Sequence, residues 1–267
     1  MHANTIFLFI YSLNVNFILL QARKLIGQNS QIRGVFIKET RPDIHIALVP
    51  DGNRRWAKKK RKPSWYGHKA GARKMEAFLD WILDHPEIKM VSIYALSTEN
   101  LNRSQNELKY LWNIYNKEFE KLLTSERVRK NQIRIRIVGD TNSWRSDVKK
   151  MARKVMKETE NYTKTILNIL VGYGSQFEII NAIKKIAKFG VRSIPPLRDS
   201  FINYLMVNRP VDLVIRTGGY HRLSNFLLYQ TAYSEIYFSP TLWPDFSKRE
   251  FKKIIRWFWK QKRKFGK

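Results

Sequence analysis

Short, nearly continuous apolar runs recur along the chain at 45–49, 90–96, 133–138, 166–171, 212–215 and 236–238. Runs of that length without polar alternation predict strands buried on both faces. Between them, apolar positions return every three to four residues near 67–84, 104–128, 143–163, 175–189 and 198–208, and again near 247–263. That period predicts helices. The alternation of the two predicts an α/β fold, in which a mostly parallel six-stranded sheet is flanked by helices within one domain spanning 41–267. The stretch 188–200, with Gly190 and the pair Pro195-Pro196, reads as a connecting loop.

Residues 1–40 stand apart from this pattern. Their apolar run, 5–20, is interrupted by Asn14 and Asn16, and it falls short of the roughly 20 apolar residues that span a bilayer. No positive charge precedes it, unlike a secretory signal. It is expected to be an appended helix lying on a membrane surface or against a partner.

Composition narrows the class. With 43% hydrophobic and 13% aromatic residues, the 267-residue chain can bury a substantial core. The absence of cysteine excludes disulfides, thiolate metal sites and cysteine nucleophiles. Fifty Lys and Arg against 22 Asp and Glu give a net charge of +28. Such a surface attracts polyanions: nucleic acid, anionic lipid or a diphosphate. Residues 248–267 are rich in lysine and arginine interleaved with Phe251, Trp257, Phe258 and Trp259. A basic aromatic helix of this kind suits a membrane surface, and a solvated terminal helix packing one apolar face on the domain explains it equally well. The expected location is the cytoplasm, peripheral at the membrane surface.

The unusual residues fall after the predicted strands. Pro50-Asp51-Gly52-Asn53 follows the first, Ser97-Thr98-Glu99-Asn100 the second and Gly139-Asp140-Thr141 the third. Gly172-Tyr173-Gly174 follows the fourth and Arg216-Thr217-Gly218-Gly219 the fifth. Each alone could be turn chemistry. Five together occupy the carboxyl-end rim, where open α/β sheets bind ligands. No glycine-rich nucleotide loop, nucleophile elbow or zinc helix is present, and no two acidic residues are adjacent.

What remains is an inventory for phosphate: Arg55 and His68 around the first helix, Arg103 after the second cluster, and Arg216, Arg222 and Ser224 around the fifth. Guanidinium forks and backbone N–H groups at helix starts both match phosphate oxygens. A lone arginine in so basic a chain is ordinarily a solvated charge, so the rim placement carries the argument. An Mg²⁺ ion bridging a diphosphate needs only one or two carboxylates. Asp51 is best placed for it, with a helix N-cap as the alternative role.

These residues together resemble the cis-prenyltransferase (undecaprenyl/dehydrodolichyl diphosphate synthase) family, in a variant similar to its archaeal members. The likeness lies in His45-Ile-Ala-Leu-Val-Pro-Asp51-Gly-Asn-Arg-Arg-Trp56, Gly67-His68-Lys-Ala-Gly71 and Tyr94-Ala-Leu-Ser-Thr-Glu-Asn100-Leu-Asn-Arg103. It continues in Asp212-Leu-Val-Ile-Arg216-Thr-Gly-Gly-Tyr-His-Arg222-Leu-Ser224, through Glu235 to Phe246. The resemblance implies successive condensation of isopentenyl diphosphate onto an allylic diphosphate primer, with Mg²⁺ as cofactor. By the same resemblance, Asp51 would hold Mg²⁺, with Glu235 and His221 as further ligands. Gly52, Asn53, Arg54, Arg55, Trp56 and His68 would bind the primer, and Arg216, Arg222, Leu223 and Ser224 the isopentenyl diphosphate. Asn100, near Ser97, Thr98 and Glu99, would take part in proton removal, and Arg103 would support the phosphates.

The resemblance also implies a homodimer and an apolar tunnel for the growing chain; Met75, Phe78, Leu79, Ile82, Leu108, Leu111, Trp112 and Tyr115 on two helices are its candidate walls, although apolar residues at helical spacing are more often simply core. Departures from the family pattern stand at Arg54, Ser64, Leu101 and Tyr220, and at Lys264-Phe265-Gly266 in place of Arg-x-Gly. A non-catalytic accessory subunit usually lacks the first-motif aspartate, which is present here. No helix-turn-helix, zinc-finger or RNA-binding signature accompanies the charge, so nucleic acid is not the expected partner.

Overall fold

The computed structural model describes residues 41–189 and 200–262. The extension 1–40 and the segment Lys264-Phe265-Gly266 lie outside the described residues. Six strands form one sheet: β1 (Ile44–Val49), β2 (Ile88–Ser97), β3 (Ile133–Val138), β4 (Thr165–Tyr173), β5 (Leu213–Arg216) and β6 (Glu235–Phe238). Their order is β3-β4-β2-β1-β5-β6, and every neighbouring pair is parallel. The helices are α1 (Asn53–Lys59), α2 (Ser64–Leu83), α3 (Gln105–Thr124), α4 (Glu126–Lys130), α5 (Ser146–Glu158), α6 (Ser175–Phe189) and α7 (Lys248–Phe258).

The sheet separates two apolar clusters. Ile46 and Leu48 of β1 join Phe78, Phe119, Val148 and Ile254 from α2, α3, α5 and α7 on one face. Ala47 and Val49 join Val207, Val211, Phe226 and Leu227 on the other. Burial on both sides explains why the strands read as unbroken apolar runs.

Three local predictions shift. The long helix expected over 104–128 divides at Ser125, whose hydroxyl accepts from the Val128 N–H and caps α4. The helix expected over 198–208 is only a short 3₁₀ turn at Phe201–Tyr204 within the described residues. A separate α1 precedes α2, and the two pack so closely that a Cβ on Gly67 would lie 2.0 Å from the Asn53 carbonyl oxygen. Glycine is required there by that backbone approach.

The chain fills the sheet on one side of β1 through β2, β3 and β4, and on the other through β5 and β6. The order therefore reverses beside β1, and its carboxyl end is the topological switch point.

Candidate active site

Two strand ends build the floor of a cleft of about 1070 Å³. Val49 pairs with Arg216 in the β1–β5 register, which sets the loop after β1 against the end of β5. The Asp51 carboxylate lies between two guanidinium groups. Arg216 Nη2 donates to Oδ2 at 2.9 Å, and Arg55 Nη2 approaches Oδ1 at 3.3 Å. Arg55 Nη1 also donates to the Gly218 carbonyl at 2.6 Å. Arg216 Nη1 donates to the Ser224 hydroxyl at 2.8 Å and to the Arg222 carbonyl. Its Nε is buried with no partner, a donor held in reserve within a cationic cleft. The capping role weighed for Asp51 is not the one it has, since Gly52 occupies the N-cap of α1 without a side-chain cap.

A second cluster closes the opposite wall. Glu107, in the first turn of α3, accepts from Arg103 Nη1 at 3.1 Å and from His68 Nε2 at 3.2 Å and lies 3.7 Å from Arg54 Nε. One carboxylate thus organises two arginines and a histidine expected to meet phosphate. Burial pushes the His68 imidazole below its usual value, against the opposing hydrogen bond from Glu107. On the third side, Asn100 N–H donates to Ser97 Oγ at 3.1 Å, and Asn225 Nδ2 donates to Glu99 at 2.9 Å. Partial burial raises the Glu99 carboxyl, but hydrogen bonds from Asn225 and from its own loop prevail and hold it below the ordinary range.

The cleft therefore brings together Asp51, Gly52, Asn53, Arg54, Arg55, His68, Ser97, Glu99, Asn100, Arg103, Arg216 and Ser224. Other sequence candidates stand outside its lining. Trp56 donates to Asp245 at 2.7 Å and stacks on Tyr66. Thr98 N–H is tied to the Tyr173 carbonyl, and Leu223 packs against the second core cluster. Arg222 lays its guanidinium 4.2 Å over the Tyr220 ring. Glu235 begins β6 opposite Leu213, three residues before the rim pair Arg216 and Phe238. His221 is exposed, its ring tilted against that of Phe238 at 4.9 Å. Within this chain, then, neither Glu235 nor His221 joins Asp51. Among the described residues no three His, Asp or Glu side chains converge on a metal position.

Two residues were not singled out as site residues by sequence. Tyr220 was noted only as a departure, yet Arg55, Arg216 and Arg222 all lie over its ring, at 4.3, 5.7 and 4.2 Å. Glu107 sits in the pattern Ser104-x-x-Glu107, which marks a helix start without revealing the two arginines and the histidine it gathers.

Beyond His68 the cleft continues into an apolar slot of about 430 Å³ between α2 and α3, with Ile93, Leu167 and Ile169 of the sheet as its floor. Of the expected tunnel wall, Met75, Leu79, Leu111 and Tyr115 line it. Phe78, Ile82, Leu108 and Trp112 do not: they are core residues, and Phe78 packs edge-on against Trp243 and Phe251. Residues on one helix at helical spacing divide between two faces, and only one faces the slot.

Comparison with known proteins gives the same assignment. Residues 49–266 match the family described as "Putative undecaprenyl diphosphate synthase". The chain belongs to this family of cis-prenyltransferases. Over 228 residues it is 40% identical to a tritrans,polycis-undecaprenyl-diphosphate synthase (geranylgeranyl-diphosphate specific) of Pyrococcus abyssi, covering 83% of this chain and 86% of the relative. Over 230 residues it is 40% identical to a ditrans,polycis-undecaprenyl-diphosphate synthase ((2E,6E)-farnesyl-diphosphate specific) of Buchnera aphidicola, covering 83% and 90%. The crystal structure of lavandulyl diphosphate synthase from Lavandula x intermedia, in complex with dimethylallyl diphosphate, superposes with a TM-score of 0.76 at 29% identity, covering 84% and 98%. The parallel sheet of this cis-prenyltransferase is the one expected from its sequence, whereas of the five rim clusters only those after β1, β2 and β5 line the cleft, and those at 139–141 and 172–174 do not.

Proposed function

We propose that this cis-prenyltransferase elongates an allylic diphosphate, farnesyl or geranylgeranyl, with isopentenyl diphosphate, and that the cleft and slot divide the work. The observation carrying this reading is the junction itself: a cationic cleft, with one carboxylate on its floor, opens at His68 into an apolar slot. A prenyl diphosphate has the same two halves.

In this scheme Gly52, Asn53, Arg54, Arg55 and His68 hold the primer diphosphate, and Arg216 and Ser224 the isopentenyl diphosphate, with Arg222 and Tyr220 beside them. The allylic C–O bond breaks and diphosphate leaves with the electron pair. The isopentenyl double bond forms the new C–C bond to the allylic carbon, and loss of a proton restores a double bond. Arginines fixed before reaction stabilise the charge growing on the leaving group. Asn100, oriented through Ser97, is the residue we assign beside the proton that is lost.

Mg²⁺ fits the donor set as a shared ligand. Asp51 supplies one hard oxygen and substrate phosphates the rest, a usual arrangement for this ion. Bound there, it would neutralise diphosphate charge. Glu235 and His221 receive no role in the cleft of their own chain. We further propose a homodimer and a peripheral contact with membrane through the basic aromatic C-terminal segment, and assign residues 1–40 to an appended extension. Among the described residues, no helix is long and apolar enough to cross a membrane.

Incorporation of labelled isopentenyl diphosphate with Mg²⁺, offering each primer separately, tests the proposal. Chain-extended product that disappears with Asp51→Ala or with chelator is expected. Absence of product with both primers would favour the accessory-subunit role.

A further inference from the structure

Tyr220 stands where the two halves of the cleft meet. It follows Gly218 and Gly219, whose φ values of +87 and +77 suit glycine. Backbone bonds fix this turn. Gly218 N–H donates to the Thr241 carbonyl at 2.8 Å, and Gly219 N–H to the Ser239 carbonyl at 2.9 Å. The ring that follows lines the cleft and is 39% exposed.

Three guanidinium groups gather over that ring: Arg55 at 4.3 Å, Arg222 at 4.2 Å and Arg216 at 5.7 Å. They are not held alike. Arg216 and Arg55 both reach Asp51, and each has a further oxygen, Ser224 Oγ for one and the Gly218 carbonyl for the other. Among the described residues, Arg222 makes no ion pair and its guanidinium donates no hydrogen bond. The Tyr220 ring is therefore the partner that places it.

The kind of partner matters. A guanidinium over an aromatic face is attracted through its flat surface, while its five N–H donors point outward in its own plane. A carboxylate in the same place would accept two of those donors and cancel one positive charge. The family resemblance leads to an acidic residue at this position, and Tyr220 replaces it with a neutral ring. Three guanidiniums here accordingly face the one floor carboxylate of Asp51, and Arg222 keeps its donors for phosphate.

Resting on the assignment of Arg216 and Arg222 to isopentenyl diphosphate, we propose that Tyr220 is a positioning residue for that substrate. It is a neutral aromatic platform that holds Arg222 at the cleft edge with its donors free. The platform acts through the ring face, not through the hydroxyl. Its effect falls on isopentenyl diphosphate because Arg55, on the primer side, is also held by Asp51 and Gly218.

Two measurements test it. The first is equilibrium binding of isopentenyl diphosphate to the full chain without primer, so that no turnover occurs. Tyr220→Leu keeps an apolar side chain and loses the ring, and the dissociation constant should rise roughly 5- to 30-fold. Tyr220→Phe should recover that loss. In an Arg222→Ala background, Tyr220→Leu should weaken binding by less than about threefold, the non-additivity of two residues that act together. Additive losses, or a Tyr220→Phe variant as weak as Tyr220→Leu, would overturn the platform. Tyr220→Glu should bind several-fold more weakly than Tyr220→Phe. Equal binding by those two would overturn the claim that a neutral ring leaves charge and donors for the substrate.

The second is steady-state incorporation of labelled isopentenyl diphosphate. Tyr220→Leu should raise the KM for isopentenyl diphosphate by a similar factor, with kcat within about twofold and the primer's KM little changed. An equal rise in the primer's KM would overturn the placement on the isopentenyl side. Native protein that incorporates nothing, yet shows the binding pattern above, would sink the prenyltransferase reading and leave the platform standing. Native protein that does not bind isopentenyl diphosphate would overturn both.

Discussion

Asp51 Oδ2 accepts a hydrogen bond from Arg216 Nη2 at 2.9 Å, joining the loop after β1 to the end of β5. Arg216 is almost fully buried, so its charge depends on that carboxylate and on the neutral oxygens of Arg222 and Ser224. The pair places the cleft's one floor carboxylate against the cation we assign to isopentenyl diphosphate. An incoming diphosphate and its metal would therefore meet a site whose charges are already fixed, which is what preorganised stabilisation requires.

Replacing Asp51 by Asn keeps the shape and removes the charge. Arg216 and Arg55 would then face each other across a neutral amide, and stability should fall by about 1–3 kcal/mol. Isopentenyl incorporation should drop by at least about a hundredfold, the scale of losing one preorganised electrostatic contact. Urea midpoints and initial rates measured together check both parts. A variant with wild-type rate and wild-type Mg²⁺ dependence would remove Asp51 from the role of metal ligand.

Arg216→Lys keeps a cation but cannot reach three acceptors in three directions. Loss of charge-assisted hydrogen bonds worth about 1.5–3 kcal/mol each corresponds to a fall of roughly 10- to 100-fold in kcat/KM for isopentenyl diphosphate. The primer's KM should change far less, because Arg54, Arg55 and His68 are assigned to that half. Equal losses for both substrates would contradict the division of the cleft.

Much of this site is legible in the sequence. Asp51 and Arg216 both stand where a buried apolar run meets turn-forming residues, and a parallel sheet necessarily collects such positions on one rim. Glu107 was not legible as a site residue, because its motif describes a helix start and the cations it gathers are brought together only in three dimensions. Whether Phe78 lines the slot or the core was not legible for a related reason. Period and hydrophobicity mark it as buried, but which neighbour buries it depends on the packing of Trp243 and Phe251, more than 150 residues away in sequence. The short 3₁₀ turn at Phe201–Tyr204 likewise yields to tertiary context, since local propensity is a weak guide over so few residues.

Gly218 has φ +87, and an added Cβ would lie 2.5 Å from Arg55 Nη2 and 2.9 Å from the Asp51 carbonyl oxygen. Gly218→Ala therefore meets backbone strain and a clash at once. A destabilisation of about 1–3 kcal/mol is expected, along with an activity loss exceeding that of an alanine placed at Gly219, whose Cβ would meet nothing closer than 3.8 Å. Both glycines have positive φ, so the comparison isolates the clash from the strain. Equal activity in the two variants would show that Arg55 gives way easily and is not held by the Gly218 carbonyl.

The sheet's centre carries a buried polar chain that should govern acid stability. His45 Nδ1 lies 3.0 Å from the Pro210 carbonyl and Nε2 2.7 Å from Ser92 Oγ, which accepts from Asn168 Nδ2 at 2.9 Å. Burial lowers the imidazole to about 4, only partly opposed by the Pro210 hydrogen bond. The folded protein keeps this histidine neutral, whereas the unfolded chain binds a proton near 6.5. Stability is thus fully present above pH 6.5 and is lost as pH falls toward 4, at about 1.4 kcal/mol per unit, or roughly 3 kcal/mol across the window. His68, shifted in the same direction, adds to the loss. Urea unfolding at pH 7, 6, 5 and 4.5 should show that slope in the native protein and a shallower one in His45→Gln. Parallel curves would mean that His45 becomes protonated inside the fold, with Ser92 turning to accept its proton.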